Sequence, residues 1–192
     1  SRAQCDFLPV HQWQYRKAIK TLKSGGVIAY PSESVYGLGC NPYNLQAVSD
    51  LLSVKHRSYK KGLIILVSDI EQASSLIEPL STQQKQRIQN HHGRATTWLV
   101  NKSERTSPLL AGNHAKLAIR VTTNPVAKKL CDMMQGPIVS TSCNRNAKPT
   151  SRSAAVIRNK FYLPLAQIIP GECGGEPASR IVDLESGQIL RA

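Results

Sequence analysis

The segment Lys55-His56-Arg57-Ser58-Tyr59-Lys60-Lys61 carries four permanent cations and a histidine in seven residues. Part of that charge has a local use at the end of a preceding helix, where cations meet the negative pole of the helix dipole. Cations this dense also repel one another, and a polyanion relieves the repulsion. A second segment, Pro31-Ser32-Glu33-Ser34-Val35-Tyr36-Gly37-Leu38-Gly39, follows the apolar run Val27–Tyr30. Strand ends carry ligand sites in α/β sheets. Ser32 and Ser34 can donate to a carboxylate or phosphate there, and the glycines admit a close backbone approach; the alternative is a plain turn. A third segment, Ser140-Thr141-Ser142-Cys143-Asn144, is either an anion nest of hydroxyls, amides and backbone N–H groups or a Ser/Thr-rich turn. The fourth, Leu117-Ala118-Ile119-Arg120-Val121, places an arginine in an aliphatic strand, as an edge cation or a pocket cation. Cations, hydroxyls and amides with few candidate bases suit phosphoryl or nucleotidyl transfer, where positioning and charge neutralisation dominate. They suit hydrolysis by an activated serine or cysteine poorly, because no histidine or carboxylate partner is evident.

The overall charge points the same way. Lys plus Arg number 25 against 12 Asp plus Glu, a net charge of +13 over 192 residues, which favours polyanions: RNA, DNA or nucleotide phosphates. Aromatic residues are only 5%, which argues against a base-stacking platform. A hydrophobic fraction of 41% with 12 Gly and 11 Pro is globular and excludes collagen, a disordered tail and a coiled coil. The longest aliphatic run, Leu63–Val67, has five residues, where a spanning helix needs about 20. No signal-like segment opens the chain, so a cytoplasmic protein without a membrane partner is expected. The five cysteines show no C-x-x-C spacing and read as free thiols of a reducing compartment rather than zinc ligands. Motifs of P-loop, α/β-hydrolase and zincin type are absent, and Gly37-Leu38-Gly39 lacks the third glycine of a dinucleotide fingerprint.

Periodicity supplies the elements that must hold these segments. A helix is predicted from about Val10 to Lys23, ended by Gly25-Gly26, and the strand Val27–Tyr30 follows, stopped by Pro31. A loop over Ser32–Pro42 leads to a helix at Leu45–Lys55, and a basic loop, Lys55–Lys61, leads to the strand Leu63–Val67. Asp69 with Gln72 and Ser81 with Gln84 have capping-box spacing, predicting helices near 70–78 and 82–91. Strands at Thr96–Asn101 and Leu117–Val121, a helix over Val126–Met134 started by Pro125, and a short strand Ile138–Ser140 come next. A polar loop Thr141–Thr150, a helix near Ser151–Phe161, and strands at Gln167–Ile169, Arg180–Leu184 and Gln188–Arg191 complete the chain. Alternating helices and strands predict an α/β or α+β class with a mixed sheet in one domain, 1–192.

The segments PSESVYGLG, KHR…KKGLIILV, LAIRV, STSCN and PGECGG, in this order and spacing from about Tyr15 to Arg191, resemble the YrdC family, the threonylcarbamoyl-AMP synthases of tRNA modification. The resemblance implies a single twisted domain with a large basic cavity. It also implies conversion of L-threonine, bicarbonate and ATP to threonylcarbamoyl-AMP and pyrophosphate. The product would serve adenosine 37 of tRNA through a separate threonylcarbamoyl transferase complex. By motif position, the K-x-R and S-x-N elements fall on Lys55, Arg57, Ser142 and Asn144 as catalytic residues. Arg57, Lys61, Ser142 and Thr150 would contact ATP, with Arg191 closing over it. Ser32, Arg120, Ser140 and Ser179 would surround threonine. Ser32 stands where the family usually has threonine, and Ser58 and Arg94 where it usually has proline. Lys61 and Lys116 fall on positions that vary in the family.

A threonine carbamate is already an anion, so its attack on the α-phosphate needs no general base. The obstacle is bringing two anions together, which Lys55, Arg57 and Mg²⁺ offset. With 12 acidic residues in the chain, Mg²⁺ is expected on the ATP phosphates rather than in a protein cage, and no metal ligand is assigned. Glu33 is a candidate for orienting a cation or a metal-bound water, or for a structural salt bridge. The alternative to the enzyme is a non-enzymatic RNA-binding or ribosome-maturation factor. Weak, salt-sensitive RNA binding is expected under either reading.

Overall fold

A computed structural model describes residues 10–32, 36–55, 58–142, 165–169 and 177–192. Helix α1, Gln12–Lys23, buries Tyr15, Ala18, Ile19 and Leu22, the three- and four-residue spacing of one helical face. It ends in a Schellman turn. Gly25 adopts φ +89°, its N–H donates to Leu22 O, and Gly26 N–H donates to Thr21 O at 2.8 Å. A Cβ at Gly25 would lie 2.7 Å from Asn44 Nδ2, so only glycine closes this corner without displacement.

The turn delivers the chain into β1, Val27–Tyr30, followed by β2, Gly37–Cys40, and helix α2, Leu45–Lys55. A 3₁₀ turn at Tyr59–Lys61, capped by Ser58, leads to β3, Ile64–Val67. A second 3₁₀ segment, Ile70–Leu76, and helix α3, Thr82–Gln89, precede β4, Thr96–Asn101. The short helix α4, Pro108–Ala111, β5, Lys116–Val121, helix α5, Pro125–Met134, and β6, Ile138–Ser142, come next. The last strands are β7, Leu165–Ile168, β8, Arg180–Asp183, and β9, Ile189–Arg191.

Among the described residues the strands form one nine-stranded mixed sheet, ordered β7-β1-β2-β6-β3-β5-β4-β8-β9. The β7/β1, β3/β5 and β4/β8 pairs are parallel and the rest antiparallel. Alternation of side chains sends Ala29, Leu38, Cys40, Ile65, Val67, Ile119 and Trp98 to one face, where they pack with Val48, Leu51 and Leu52 of α2 and with Leu110 of α4. Ile28, Tyr30, Leu66 and Ile138 point to the other face and pack under α1 and α5. Each large aliphatic so buried contributes about 1.5–3 kcal/mol. Among the described residues, α1 and α5 cover only the β1/β6/β3 part of their face.

Four expectations change. Gly37–Cys40, taken as part of a loop over Ser32–Pro42, is a strand, because β1 and β6 pair with it on both sides although its glycines carry no strand pattern. Thr141 and Ser142 prolong β6 rather than opening the polar loop, since Leu38 and Gly37 stand opposite them. The helix expected near 70–78 is 3₁₀. There Gln72 Oε1 accepts from Ser68 N at 2.9 Å, so the reciprocal bond closes one residue before Asp69. The Ser81/Gln84 box forms as spaced, with Ser81 N donating to Gln84 Oε1 at 2.9 Å and Gln84 N to Ser81 Oγ at 3.1 Å. Helix α4 was not expected, and the helix near Ser151–Phe161 lies outside the described residues.

Candidate active site

On the open part of the α1/α5 face lies a cleft of about 620 Å³, within the usual range for a small-molecule site. Strand register defines its floor. Ser140, Ile64, Ala118 and Leu99 stand opposite one another across β6, β3, β5 and β4. Two residues further along lie Leu66, Arg120, Thr97 and Ile181, with Arg191 paired to Ile181 at the sheet edge. Ile64, Ala118, Leu99, Thr97 and Ile181 line the cleft from below, while Asn113, His114, Lys116 and Arg191 line its sides.

Polar groups stand beside this floor, on the same face of the sheet, at two places. At the first, Arg120 Nη2 donates to Ser179 Oγ at 3.0 Å and reaches Thr97 Oγ1 at 3.4 Å, and the two hydroxyls lie 2.7 Å apart. Thr97 and Ser179 are both buried, so these two contacts to the guanidinium come from hydroxyls fixed by packing. The planar fork of a guanidinium matches a carboxylate in bidentate geometry. Arg120 stands on β5, an interior strand of the sheet, and so is not an edge cation.

The second place is Ser140. The Tyr30 hydroxyl donates to Ser140 Oγ at 2.5 Å, from two strands away. The Tyr30 ring crosses β2 directly over its glycines. A Cβ at Gly37 would sit 2.9 Å from Tyr30 Cζ, and one at Gly39 2.9 Å from Tyr30 Cε1 and 2.9 Å from Ile138 Cγ2. The two glycines therefore make room for a tyrosine of the protein itself, and not for the close ligand approach expected of them.

Ser140, Ser179, Arg120 and Arg191, drawn from widely separated motifs, thus share one face of the sheet. Arg191 is braced there: its Nε and Nη2 donate to Ser179 O at 3.1 and 2.6 Å. Ser32 lies just past β1, half-buried. Lys55, expected to open a basic loop, is instead the last residue of α2 and is buried. The backbone of Lys61 closes that segment beside Gly62 at the cleft, and the backbone of Ser142 pairs with Gly37. Glu33, Ser34, Arg57, Asn144 and Thr150 lie outside the described residues.

Sequence reasoning missed Thr97, Tyr30 and the Lys116–Asp183 pair. Glycines at Gly37 and Gly39, two apart and so on one face of a strand, were the available signal for a ring laid across β2. The Lys116–Asp183 ion pair, at 2.6 Å, ties β5 to β8 over the intervening β4. The hydrogen bond from Lys116 is the main reason the Asp183 carboxyl lies below its usual range.

Comparison with known proteins shows the family. The Sua5/YciO/YrdC family model, described as "Telomere recombination", matches residues 20–192. A Coxiella burnetii protein named threonylcarbamoyl-AMP synthase is 40% identical over 177 residues, covering 91% of this chain and 94% of its own. One of the same name from Methylobacillus flagellatus is 42% identical over 171 residues, covering 88% and 94%. The structure of P. abyssi Sua5 complexed with L-threonine superposes with a TM-score of 0.85 at 27% identity; it covers 96% of this chain, which spans 55% of that protein. With a family model matched over nearly its whole length and relatives of about its own size, the chain belongs to the Sua5/YciO/YrdC family.

Proposed function

We propose that this protein is a threonylcarbamoyl-AMP synthase. The observation that carries the reading is Arg120, a guanidinium beside the cleft-floor residue Thr97 that donates to the Ser179 and Thr97 hydroxyls. Such a site takes a small anionic or zwitterionic molecule through a carboxylate. Threonine fits, with its carboxylate on Arg120 and with Ser140, Ser179 and Ser32 supplying hydroxyl partners. The amine adds to the carbon of bicarbonate with loss of water, giving the N-carboxylate. One oxygen of that anion attacks the α-phosphorus of ATP, the bond from the α-phosphorus to the bridging oxygen breaks, and pyrophosphate leaves. No side chain has to remove a proton from this nucleophile, so the chain's part is to hold two anions together. Lys55, Arg57, Ser142 and Asn144 are proposed as catalytic residues, and Arg57, Lys61, Ser142, Thr150 and Arg191 as the contacts to ATP.

Among the described residues no group of three His, Cys, Asp or Glu is placed to hold a metal ion. Mg²⁺ is accordingly proposed to enter as part of the MgATP substrate, neutralising phosphate charge. A downstream transferase complex and tRNA as final acceptor belong to the same proposal. So does a reducing, cytoplasmic setting, in keeping with the free buried thiols of Cys40 and Cys131. No helix among the described residues is long and apolar enough to cross a membrane.

The test is incubation with ATP, labelled bicarbonate and single amino acids, scored for pyrophosphate and labelled acyl-adenylate. Threonine is expected to exceed valine by at least ~10-fold, because a site built around hydroxyls loses about 1–3 kcal/mol when one is left unpaired. Arg120→Lys is expected to rescue Arg120→Ala only in part, since a point charge does not replace the fork. Equal rates with threonine and valine would refute the threonine assignment.

A further inference from the structure

We infer that Tyr30 is a positioning residue of the amino-acid site: its hydroxyl donates to Ser140 Oγ and so turns the Ser140 proton toward the substrate as a hydrogen-bond donor. This rests on the placement of Ser140 in the threonine site. A serine hydroxyl has one proton and two lone pairs, and by rotation it serves an acceptor or a donor equally well. At Ser140 that rotation is restricted, because Tyr30 Oη donates to Oγ at 2.5 Å, which fills one lone pair and turns the serine proton away from the tyrosine. The ligand group facing that proton is then an oxygen with lone pairs, such as a carboxylate or carbamate oxygen.

The tyrosine is built in for this contact. Its side chain is fully buried, and its ring lies in a trough that exists only because Gly37 and Gly39 have no side chains. The ring therefore cannot swing, and Oη is held by packing before any ligand arrives, which is the condition for a preorganised contact. Ser140 in turn stands opposite Ile64, a cleft-floor residue. A buried tyrosine on the opposite face offers the matched comparison: Tyr36 Oη donates to the main-chain oxygen of Ile169 at 2.9 Å and packs in the α2-side core.

The experiment is a double-mutant cycle of Tyr30→Phe and Ser140→Ala in the full chain, read by calorimetric binding of L-threonine and by separate KM values for threonine and ATP. Tyr30→Phe keeps the ring in its trough and removes only the hydroxyl. It is expected to raise the threonine Kd and KM about 5- to 10-fold, the loss of one ordinary hydrogen bond, with the ATP KM unmoved. Ser140→Ala should do the same, and the double variant should be no worse than the single ones, because both remove one coupled contact. Tyr36→Phe should lower the melting temperature and leave the threonine KM alone. A Tyr30→Phe threonine Kd within twofold of the parent, or losses that multiply in the double variant, would overturn the inference while leaving the function intact. No effect of Ser140→Ala, or no threonine binding by the parent, would instead remove Ser140 or threonine from the site, and the inference with it.

Discussion

At the scale of single residues, the rim of the cleft is held by a carboxylate that joins strands which are not neighbours. Asp183 accepts from Lys116 Nζ at 2.6 Å and from Ser186 Oγ at 2.9 Å, and both bonds favour its ionised form. Its folded pKa therefore lies below the unfolded value of about 3.9. The stabilisation is complete above that unfolded value and is lost as pH falls through the lower folded one. The pair is partly open to solvent, so its worth is discounted to about 1 kcal/mol. Asp183→Asn is expected to lower the urea midpoint by a constant amount from pH 5 to 8, with the gap closing as acid protonates the wild-type carboxyl. A gap of undiminished size at pH 2 would assign the effect to packing instead. The sequence made Arg120 conspicuous, as a charge among aliphatics, but Asp183 looks like any acidic residue ahead of a turn.

At the scale of elements, the piece that sequence periodicity did not resolve is the junction of α4 with the 3₁₀ turn at Tyr59–Lys61. Gly112 follows α4 with φ +67°, and a Cβ there would lie 2.5 Å from Lys60 O and 2.7 Å from Gly62 N. Both obstacles are backbone, and Asn113 N also donates to Lys60 O at 3.4 Å, so the turn is seated directly on this glycine. Gly112→Ala is expected to cost about 1–3 kcal/mol or more and to raise the ATP KM, because the displaced turn carries Lys60 and Lys61 between α2 and the cleft. Gly93→Ala is the control. Gly93 has φ +101° but nothing within 4 Å of the added atom, so it should lose about 1 kcal/mol from backbone strain alone and leave the ATP KM unchanged. Thermal melts with ATP titrations on both variants check this. α2 was legible to its last residue because its apolar spacing is regular, whereas a four-residue helix such as α4 is too short to show a period.

At the scale of the whole molecule, the +13 charge is unevenly used. The buried stripe of α1 leaves Arg16, Lys17, Lys20 and Lys23 exposed with Trp13, all within an arc of roughly 120° of the helix. Lys129 of α5 extends this surface by donating to Gln12 Oε1 at 2.9 Å. The helix has no acidic residue among these cations, so its outer face suits a phosphate backbone. RNA duplex binding is expected to weaken steeply from low to high salt, with little sequence preference. Reversing charge at Lys17, Lys20 and Lys23 should reduce RNA affinity and leave acyl-adenylate synthesis unchanged, since these residues lie on the outer side of α1, away from the cleft. Salt-independent affinity, or affinity unaffected by the reversal, would contradict this.

The order of the elements and the bounds of β1, α2 and β4 follow from local patterns of apolar residues, caps and breakers, and the motif residues Arg120, Ser140, Ser179 and Arg191 are found from spacing and resemblance. What unites them depends on register. Tyr30 meets Ser140 across 110 residues of chain, and Thr97 meets Ser179 across 82. Those contacts exist because β2 lies between β1 and β6, and because β4 takes β8 as a parallel neighbour. No local pattern encodes such a neighbour, since a strand's own alternation states which side chains share a face but not which strand lies beside it. The glycines of β2 show this most plainly. Alone they read as a loop, and only the tertiary structure, by laying Tyr30 over them, gives them a purpose.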